Sequence, residues 1–537
     1  MANPQKPRFP KQQPSAPRPE SFSRSAPPRF PFANPPSPRF EETPARPARP
    51  KTDDAQWARP KGAKTGKPKG TKPSAAATAT TRPLAPRTQG AKPQIPLHNS
   101  SANRPAKPQT PRPSAPPVPI QLDIPAPYAA VARRASENVR TGYLWVYASD
   151  VVALKPGAGD APRILPVVDA RGIPLGTALF SPASQIQLRM VSREILTAAA
   201  WMQLFENRLH TAIAHRKPLL GDDTNACRLV FSEADQLPGL VIDKYAGILV
   251  VQLLCRGLDT PEIRDACVRV LKAAFSSAKT PITIWERQDP RIRELEGLTL
   301  PSAEPLFATK AKSPSSTTLF RANGLELHFD VNAGQKTGAF LDQRQNYLAV
   351  AEWALRKGAT GNALDVCTYQ GGFALHLARV CKSVTGVDAS NASLQVAEKN
   401  LSQNRKQLIA EVEWIEADAF QLLRDWSDAI RTQDWDVIVL DPPAFAKNKR
   451  AAESALRGYK ELNLRALKMI RPGGLLVSCS CSHHVSLVDL ETAVAAAAAD
   501  CGRRVTLLER RGASEDHPVV FNQAESEYLK CLILQVY

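Results

Sequence analysis

The spacing of apolar positions changes along the chain, and each regime predicts a different set of elements. Short apolar runs at 164–168 and 175–180 flank Asp169-Ala170-Arg171-Gly172, which predicts a β-hairpin, and 185–191 alternates as a further strand. A small β-barrel over residues 128–195 is the expected result. From 196 to 215 the apolar residues recur at helical spacing. Residues 228–230 and 240–243 then read as strands around the turn Gln236-Leu237-Pro238-Gly239, with another strand at 248–254, a helix at Pro261–Phe275 and a strand at 282–286. This makes 196–320 a central α+β domain in which no residue pattern is catalytic; Asp235 and Asp243 read as turn and strand-end residues. Over 325–537 short apolar strands alternate with amphipathic helices, the pattern of an α/β domain with a parallel sheet covered on both faces. The strands are expected at 363–366, 383–387, 412–416, 437–440, 475–480, 505–508 and 530–535, the last two pairing through a long hairpin.

The first 120 residues break this picture. They hold 29 of the 48 prolines, and 22 Lys and Arg against 5 Asp and Glu, so nearly all of the formal net charge of +19 sits there. With few aromatic or branched side chains to bury, 1–120 is expected to be a disordered basic tail that adds salt-sensitive affinity for RNA or DNA. No run of about 18 apolar residues predicts a membrane span, and no signal-peptide pattern is present. A cytoplasmic protein is expected, with no membrane partner. The nine cysteines are scattered without a CxxC pair, which suits reduced thiols and gives no metal site.

Candidate chemistry gathers at the ends of the predicted strands. Ala363-Leu364-Asp365-Val366 runs into Cys367-Thr368-Tyr369-Gln370-Gly371-Gly372 and a helix. Adjacent glycines let the backbone approach a ligand, and Asp388, about twenty residues on, stands where a carboxylate accepts ribose hydroxyls. Asp418 follows the third strand, placed to receive an adenine amino group. Acids after three successive strands, without a GxGxxG fingerprint, favour S-adenosylmethionine over a dinucleotide, with Asp365, Tyr369, Gly371, Gly372, Asp388 and Asp418 as its binding residues. The fourth strand delivers Asp441-Pro442-Pro443-Ala444-Phe445, a stiff turn that aims a carboxylate or a carbonyl at a nucleobase edge. Pro442 is placed with the cofactor and Phe445 with RNA. The fifth strand carries Ser478-Cys479-Ser480-Cys481-Ser482, with Cys481 at its carboxyl end and Cys479 deeper. Carbon 5 of cytosine takes a methyl group only after a thiolate adds at carbon 6, so Cys481 is the candidate nucleophile and Asp441 its catalytic partner.

The stretches Gly142-Tyr143-Leu144-Trp145-Val146-Tyr147 and Gly176–Ile186 resemble a PUA domain, a fold that holds RNA. With Arg228-Leu229-Val230, Leu237-Pro238-Gly239, Gly334-Gln335-Lys336-Thr337-Gly338-Ala339-Phe340-Leu341-Asp342-Gln343-Arg344 and Ser480-Cys481-Ser482, residues 128–537 resemble the bacterial large-subunit ribosomal RNA cytosine-C5 methyltransferases. The resemblance implies a class I, Rossmann-like methyltransferase domain, S-adenosylmethionine as cofactor and large-subunit ribosomal RNA as partner; a homodimer is left open. It implies that the segment around Gln335 closes over the cofactor, while Lys336 and Arg344 are candidates for RNA phosphates. His483-His484 depart from the small residue usual after Ser-Cys-Ser, and the basic tail is outside the resemblance. Two rival readings stand beside it: methylation of a guanine or adenine nitrogen, and an RNA-binding assembly factor without turnover.

Overall fold

A computed structural model describes residues 126–537, apart from 156, 158–161, 288, 301, 311–313, 334–337, 430–433 and 447–448. The tail expected over 1–120 lies outside the described residues, as do Gln335 and Lys336.

The first sheet uses β1 (Tyr128–Val131), β2 (Trp145–Tyr147), β3 (Val151–Lys155), β4 (Ile164–Asp169), β5 (Pro174–Phe180) and β6 (Ile186–Ser192), with helix α1 (Arg133–Arg140) against it. Its strand order is β2-β6-β5-β4-β1-β3. The hairpin read at 164–180 is β4 and β5, closed by Asp169, whose side chain accepts the amides of Arg171 and Ile173.

Helix α2 (Ala198–Arg216) leads into a five-stranded sheet of β7 (Ala226–Phe231), β8 (Leu240–Tyr245), β9 (Ile248–Leu253), β10 (Thr283–Glu286) and β11 (Phe307–Ala308), with α3 (Pro261–Phe275) and α4 (Pro290–Leu295). Thr260 caps α3 by accepting from the Ile263 amide, and Pro261 stands at its first turn where no donor is needed. The core here is one cluster built from Trp201, Phe205, Leu229, Ile242, Val251 and Leu271 among others. Asp235 and Asp243 are structural: Arg216 and Arg228 grip them at 2.6 and 2.8 Å inside the domain.

A hairpin of β12 (Thr317–Ala322) and β13 (Leu325–Asp330) forms its own two-stranded sheet. The boundary read between 320 and 325 therefore passes through a hairpin turn. Its apolar face, Phe320 and Phe329, packs on Tyr245 of the central sheet, so the segment is stabilised from both sides rather than ending one domain.

The last domain is an α/β sandwich. Its sheet contains β14 (Asn362–Val366), β15 (Ser383–Asp388), β16 (Glu411–Glu416), β17 (Trp435–Leu440), β18 (Ile470–Ser480), β19 (Val505–Arg511) and β20 (Lys530–Val536), in the order β16-β15-β14-β17-β18-β20-β19. The first five are parallel and β20 runs antiparallel between β18 and β19. Helices α5 (Arg344–Lys357), α6 (Gly372–Leu377), α7 (Asn391–Asn404), α8 (Ala419–Asp428), α9 (Ala452–Met469) and α10 (Leu487–Asp500) cover it, and two separate apolar clusters form its two faces. Central strands buried on both faces explain the near-continuous Val, Leu and Ile of β14 and β17. Among the described residues no helix is long and apolar enough to cross a membrane.

Candidate active site

The carboxyl ends of β14, β15, β17 and β18 meet at one edge of the sheet. After β14 the chain turns sharply: Cys367 and Tyr369 take positive φ of 64° and 53°, and Gly371 follows at 87°. Non-glycine residues tolerate that region only when their surroundings hold them there. Asp365 supplies much of the hold. Fully buried beneath the turn, its Oδ2 accepts from the Thr368 hydroxyl at 2.6 Å and from the Ala374 amide at 2.9 Å. Burial pushes its carboxyl up to about 7, against these two hydrogen bonds, and Oδ1 has no partner. Asp365 was expected to bind the cofactor; its place is under the loop, which it braces. Gly372 is forced by packing, because a Cβ there would lie 2.4 Å from the Tyr347 ring.

Asp388 ends β15 and faces the same turn, accepting the Tyr369 amide on Oδ2 and the Ser390 amide on Oδ1, both at 2.9 Å. A carboxylate keeps further lone pairs when each oxygen accepts one bond, so these contacts fix its direction without exhausting it. Asp418 is the N-cap of α8, its Oδ1 accepting from the Gln421 amide at 2.9 Å. The Tyr369 ring meets Phe340 edge-on at 4.9 Å, and its hydroxyl donates to the Gly338 carbonyl at 3.3 Å. The segment before α5 is thereby laid against the glycine turn.

Asp441 and Cys481 belong to neighbouring parallel strands. Leu440 of β17 pairs with Ser478 of β18, so Asp441 leaves the sheet one residue later and Cys481 three residues later. Asp441 is oriented from outside its own loop: Gln343 Nε2 donates to Oδ2 at 3.0 Å. Gln343 in turn accepts from Asn346 at 2.6 Å, and Asn346 is held by Arg511 at 2.7 Å and donates to the Gly512 carbonyl at 3.0 Å. Gln343 is 2% exposed. The sequence shows it only as part of the segment carrying Lys336 and Arg344, since nothing local reveals a bond across 98 residues.

Around Cys481 the two flanking serines are fully buried. Ser480 donates to the Tyr459 hydroxyl at 2.8 Å, and Tyr459 and Ser482 lie 3.0 Å apart through their hydroxyl oxygens. Ser482 also accepts from the Ala446 amide at 3.4 Å, which ties the turn after β18 to the Asp441-Pro442-Pro443 turn after β17. Pro442 is buried while Pro443 and Ala444 are exposed. Cys481 is half-buried between these anchors, whereas Cys479 is fully buried opposite Cys531 of β20. The hydrogen bond with Cys531 and burial hold the Cys479 thiol well above its ordinary range. Sequence reading missed Tyr459 and Lys530; the Lys530 ammonium donates to the carbonyls of Ser482 and Tyr528, each at 2.8 Å.

Two expected RNA contacts sit elsewhere. Arg344 is 6% exposed and lies 4.0 Å from the buried Asp516, so its guanidinium faces the interior and not an RNA surface. Phe445 packs between Phe420 at 5.7 Å and Tyr459 at 4.9 Å, which uses its ring to hold the turn. His483 is exposed, with its ring 5.6 Å from that of Tyr528.

Residues 130–193 match a family described as PUA-like domains, and residues 234–525 match the S-adenosylmethionine-dependent methyltransferases. The chain belongs to this methyltransferase family. Ribosomal RNA large subunit methyltransferase I of Pseudoalteromonas translucida is 34% identical over 410 residues, covering 75% of this chain and 97% of that protein. The protein of the same name from Shewanella denitrificans is 35% identical over 395 residues, covering 73% of this chain and 95% of its own. A SAM-dependent methyltransferase structure from Streptococcus mutans has a TM-score of 0.59 at 18% identity, covering 76% of this chain and 99% of that one. A methyltransferase crystallised with S-adenosylhomocysteine gives 0.60 at 19% identity, with the same coverage. At that identity the likeness is one of fold.

The methyltransferase is S-adenosylmethionine-dependent, and its strand-end residues fit the cofactor. A backbone turn with three positive φ values and no side chain on two glycines leaves room for close approach. Asp388 ends β15 and Asp418 follows the adjacent β16, carboxylates of the kind that can accept from hydroxyl and amino groups. The cofactor supplies one thing to the chemistry, an electrophilic methyl group.

Proposed function

We propose that this methyltransferase forms 5-methylcytidine in large-subunit ribosomal RNA through a transient bond between Cys481 and carbon 6 of the base. The relatives that share most of the chain carry large-subunit ribosomal RNA in their names, and a PUA-like match precedes the catalytic domain. The observation that carries the reading is the place of Cys481. Of the three half-buried cysteines, Cys501 caps α10 and precedes the start of β19 rather than following the carboxyl end of a strand, and Cys367 sits in the glycine turn with its thiol raised by burial and Asp388. Cys481 combines partial exposure with a place just past the end of β18, the strand beside the one that delivers Asp441.

In this reading the cytosine leaves its stack and enters the edge where β17 and β18 end. The Cys481 thiolate forms a sulfur–carbon 6 bond, and the electrons of the carbon 5–carbon 6 double bond move to carbon 5, which takes the methyl group. Loss of the carbon 5 proton to a base then restores the double bond and expels the thiolate. Asp441, aimed by Gln343, receives the nitrogen 3 edge that gains a proton in the adduct. RNA flanking the target is accommodated by a cleft of about 470 Å³ lined by Tyr143, Arg193, Arg208, Glu233 and Val520. The place of action is the cytoplasm, where such RNA is made and assembled.

RNA carrying 5-fluorocytidine tests the covalent step, since fluorine at carbon 5 cannot leave as a proton and the adduct accumulates. Wild type is expected to give a denaturant-resistant protein–RNA complex that Cys481→Ala does not form. A complex that survives that substitution and disappears in Cys479→Ala would reverse the roles. Methylation of a purine nitrogen, which the Asp441-Pro442-Pro443 turn also suits, needs no thiol and would give no complex at all.

A further inference from the structure

We propose that Lys530 is a positioning residue for the nucleophile, its ammonium forming the counter-ion of the Cys481 thiolate. Lys530 opens β20 directly opposite Ser480, the residue before Cys481, in the antiparallel β18–β20 ladder. Its Nζ donates at 2.8 Å to the carbonyl of Ser482, the residue after Cys481, and at 2.8 Å to the carbonyl of Tyr528. The backbone of Lys530 thus pairs with the residue before the thiol, and its ammonium holds the carbonyl of the residue after it.

The side chain is 4% exposed, and both of its hydrogen-bond partners are neutral. A lysine is almost never buried without an anion, because loss of hydration costs several kcal/mol that dipoles alone rarely return. Burial accordingly lowers the ammonium to about 8, and the interaction that most opposes this fall is with Cys481; Glu527 in the preceding loop and Asp489 at the start of α10 contribute less. The other titratable groups around the pair are Tyr459, raised by burial, and His483, which is exposed on the rim. Neither competes as an anion for Lys530 near neutral pH. The arrangement makes the thiolate the charge that completes the site: ionisation of Cys481 releases its proton to solvent and leaves an ion pair where the buried cation had only its weaker interactions with Glu527 and Asp489. An opposite charge at close range favours the ionised thiol and so lowers its pKa.

The inference rests on Cys481 being the nucleophile, and its test reads the thiol without turnover. The rate of alkylation of Cys481 by iodoacetamide is followed against pH by mass spectrometry of its peptide, in full-length wild type and in Lys530→Met. Wild type is expected to inflect at least one unit below the ordinary thiol value of about 8.5. Lys530→Met is expected to move the inflection up by one unit or more, slowing alkylation about tenfold at pH 7, while S-adenosylmethionine binding by calorimetry is unchanged. Lys530→Arg, which keeps the charge, is expected to restore part of the shift. A wild-type inflection at or above the ordinary value overturns the ion pair, whatever the variants do, and so does an inflection that Lys530→Met leaves in place. A shifted inflection in an enzyme whose product is not 5-methylcytidine keeps the pair and sinks the cytosine reading; an unshifted inflection with Cys481-dependent 5-methylcytidine does the reverse.

Discussion

Single residues at this site work mainly by fixing others. Tyr459 is the clearest case, its hydroxyl shared between Ser480 and Ser482, which flank Cys481. Tyr459→Phe removes one hydrogen bond from each of two buried serine hydroxyls, and a buried group that loses a partner costs about 1–3 kcal/mol. A fall in unfolding free energy of about that size is expected by denaturant titration, together with slower methyl transfer. Gln343→Ala removes the donor to Asp441 at 3.0 Å; kcat is expected to drop about tenfold or more, with S-adenosylmethionine affinity preserved, as isothermal calorimetry would check. Asp365 gives a pH prediction. Its carboxyl is raised by burial to about 7 from an ordinary 3.8, so between those values the folded protein binds the proton that the unfolded chain has lost. Stability from this residue is therefore full below about 4 and is lost as pH rises towards 7. Asp365→Asn is expected to flatten the decline in melting temperature between pH 5 and 8; equal declines in both proteins would contradict the assignment. How much of this was legible depends on locality. Asp388, Asp441 and Cys481 announce themselves by following apolar strands, whereas Gln343, Tyr459 and Lys530 act through partners 98, 21 and 48 residues away.

Elements were legible where burial is two-sided and turns are short. The strands β14, β15 and β17 follow directly from apolar runs ended by an acid, and α3 starts at the proline that the sequence marks. The hairpin β12–β13 was not legible as a unit, because Thr317–Ala322 has only two buried positions and its apolar partners, Tyr245 and Ile248, lie in another domain. The turn of α6 shows what an element demands of one position. Gly372→Ala places a methyl group 2.4 Å from the Tyr347 ring, so the glycine turn must shift. Weaker S-adenosylmethionine binding with an unchanged helical circular dichroism spectrum is expected; unchanged affinity would show that the turn does not hold the cofactor.

Across the whole molecule, the domains are joined at polar contacts that no local pattern marks. Trp145 donates to Glu233 at 2.8 Å, linking the PUA-like sheet to the central domain, and Tyr143 donates to Glu525 at 2.9 Å, linking it to the loop before β20. Asp516 in that same loop accepts the Arg228 amide at 2.9 Å, so the loop between β19 and β20 touches both other domains. It also leads directly into Lys530, whose ammonium holds the Ser482 carbonyl next to Cys481. The charge of residues 1–120 belongs to this scale as well. Deleting them is expected to flatten the dependence of RNA affinity on salt while methyl transfer persists, since each released phosphate contact removes about 0.7–0.9 from the logarithmic slope. The central claim is tested most directly by transferring labelled methyl groups to unmodified large-subunit ribosomal RNA with wild type and Cys481→Ala and identifying the product nucleoside. The account predicts 5-methylcytidine from wild type and none from the variant; a methylated purine, or 5-methylcytidine that survives the substitution, would contradict it.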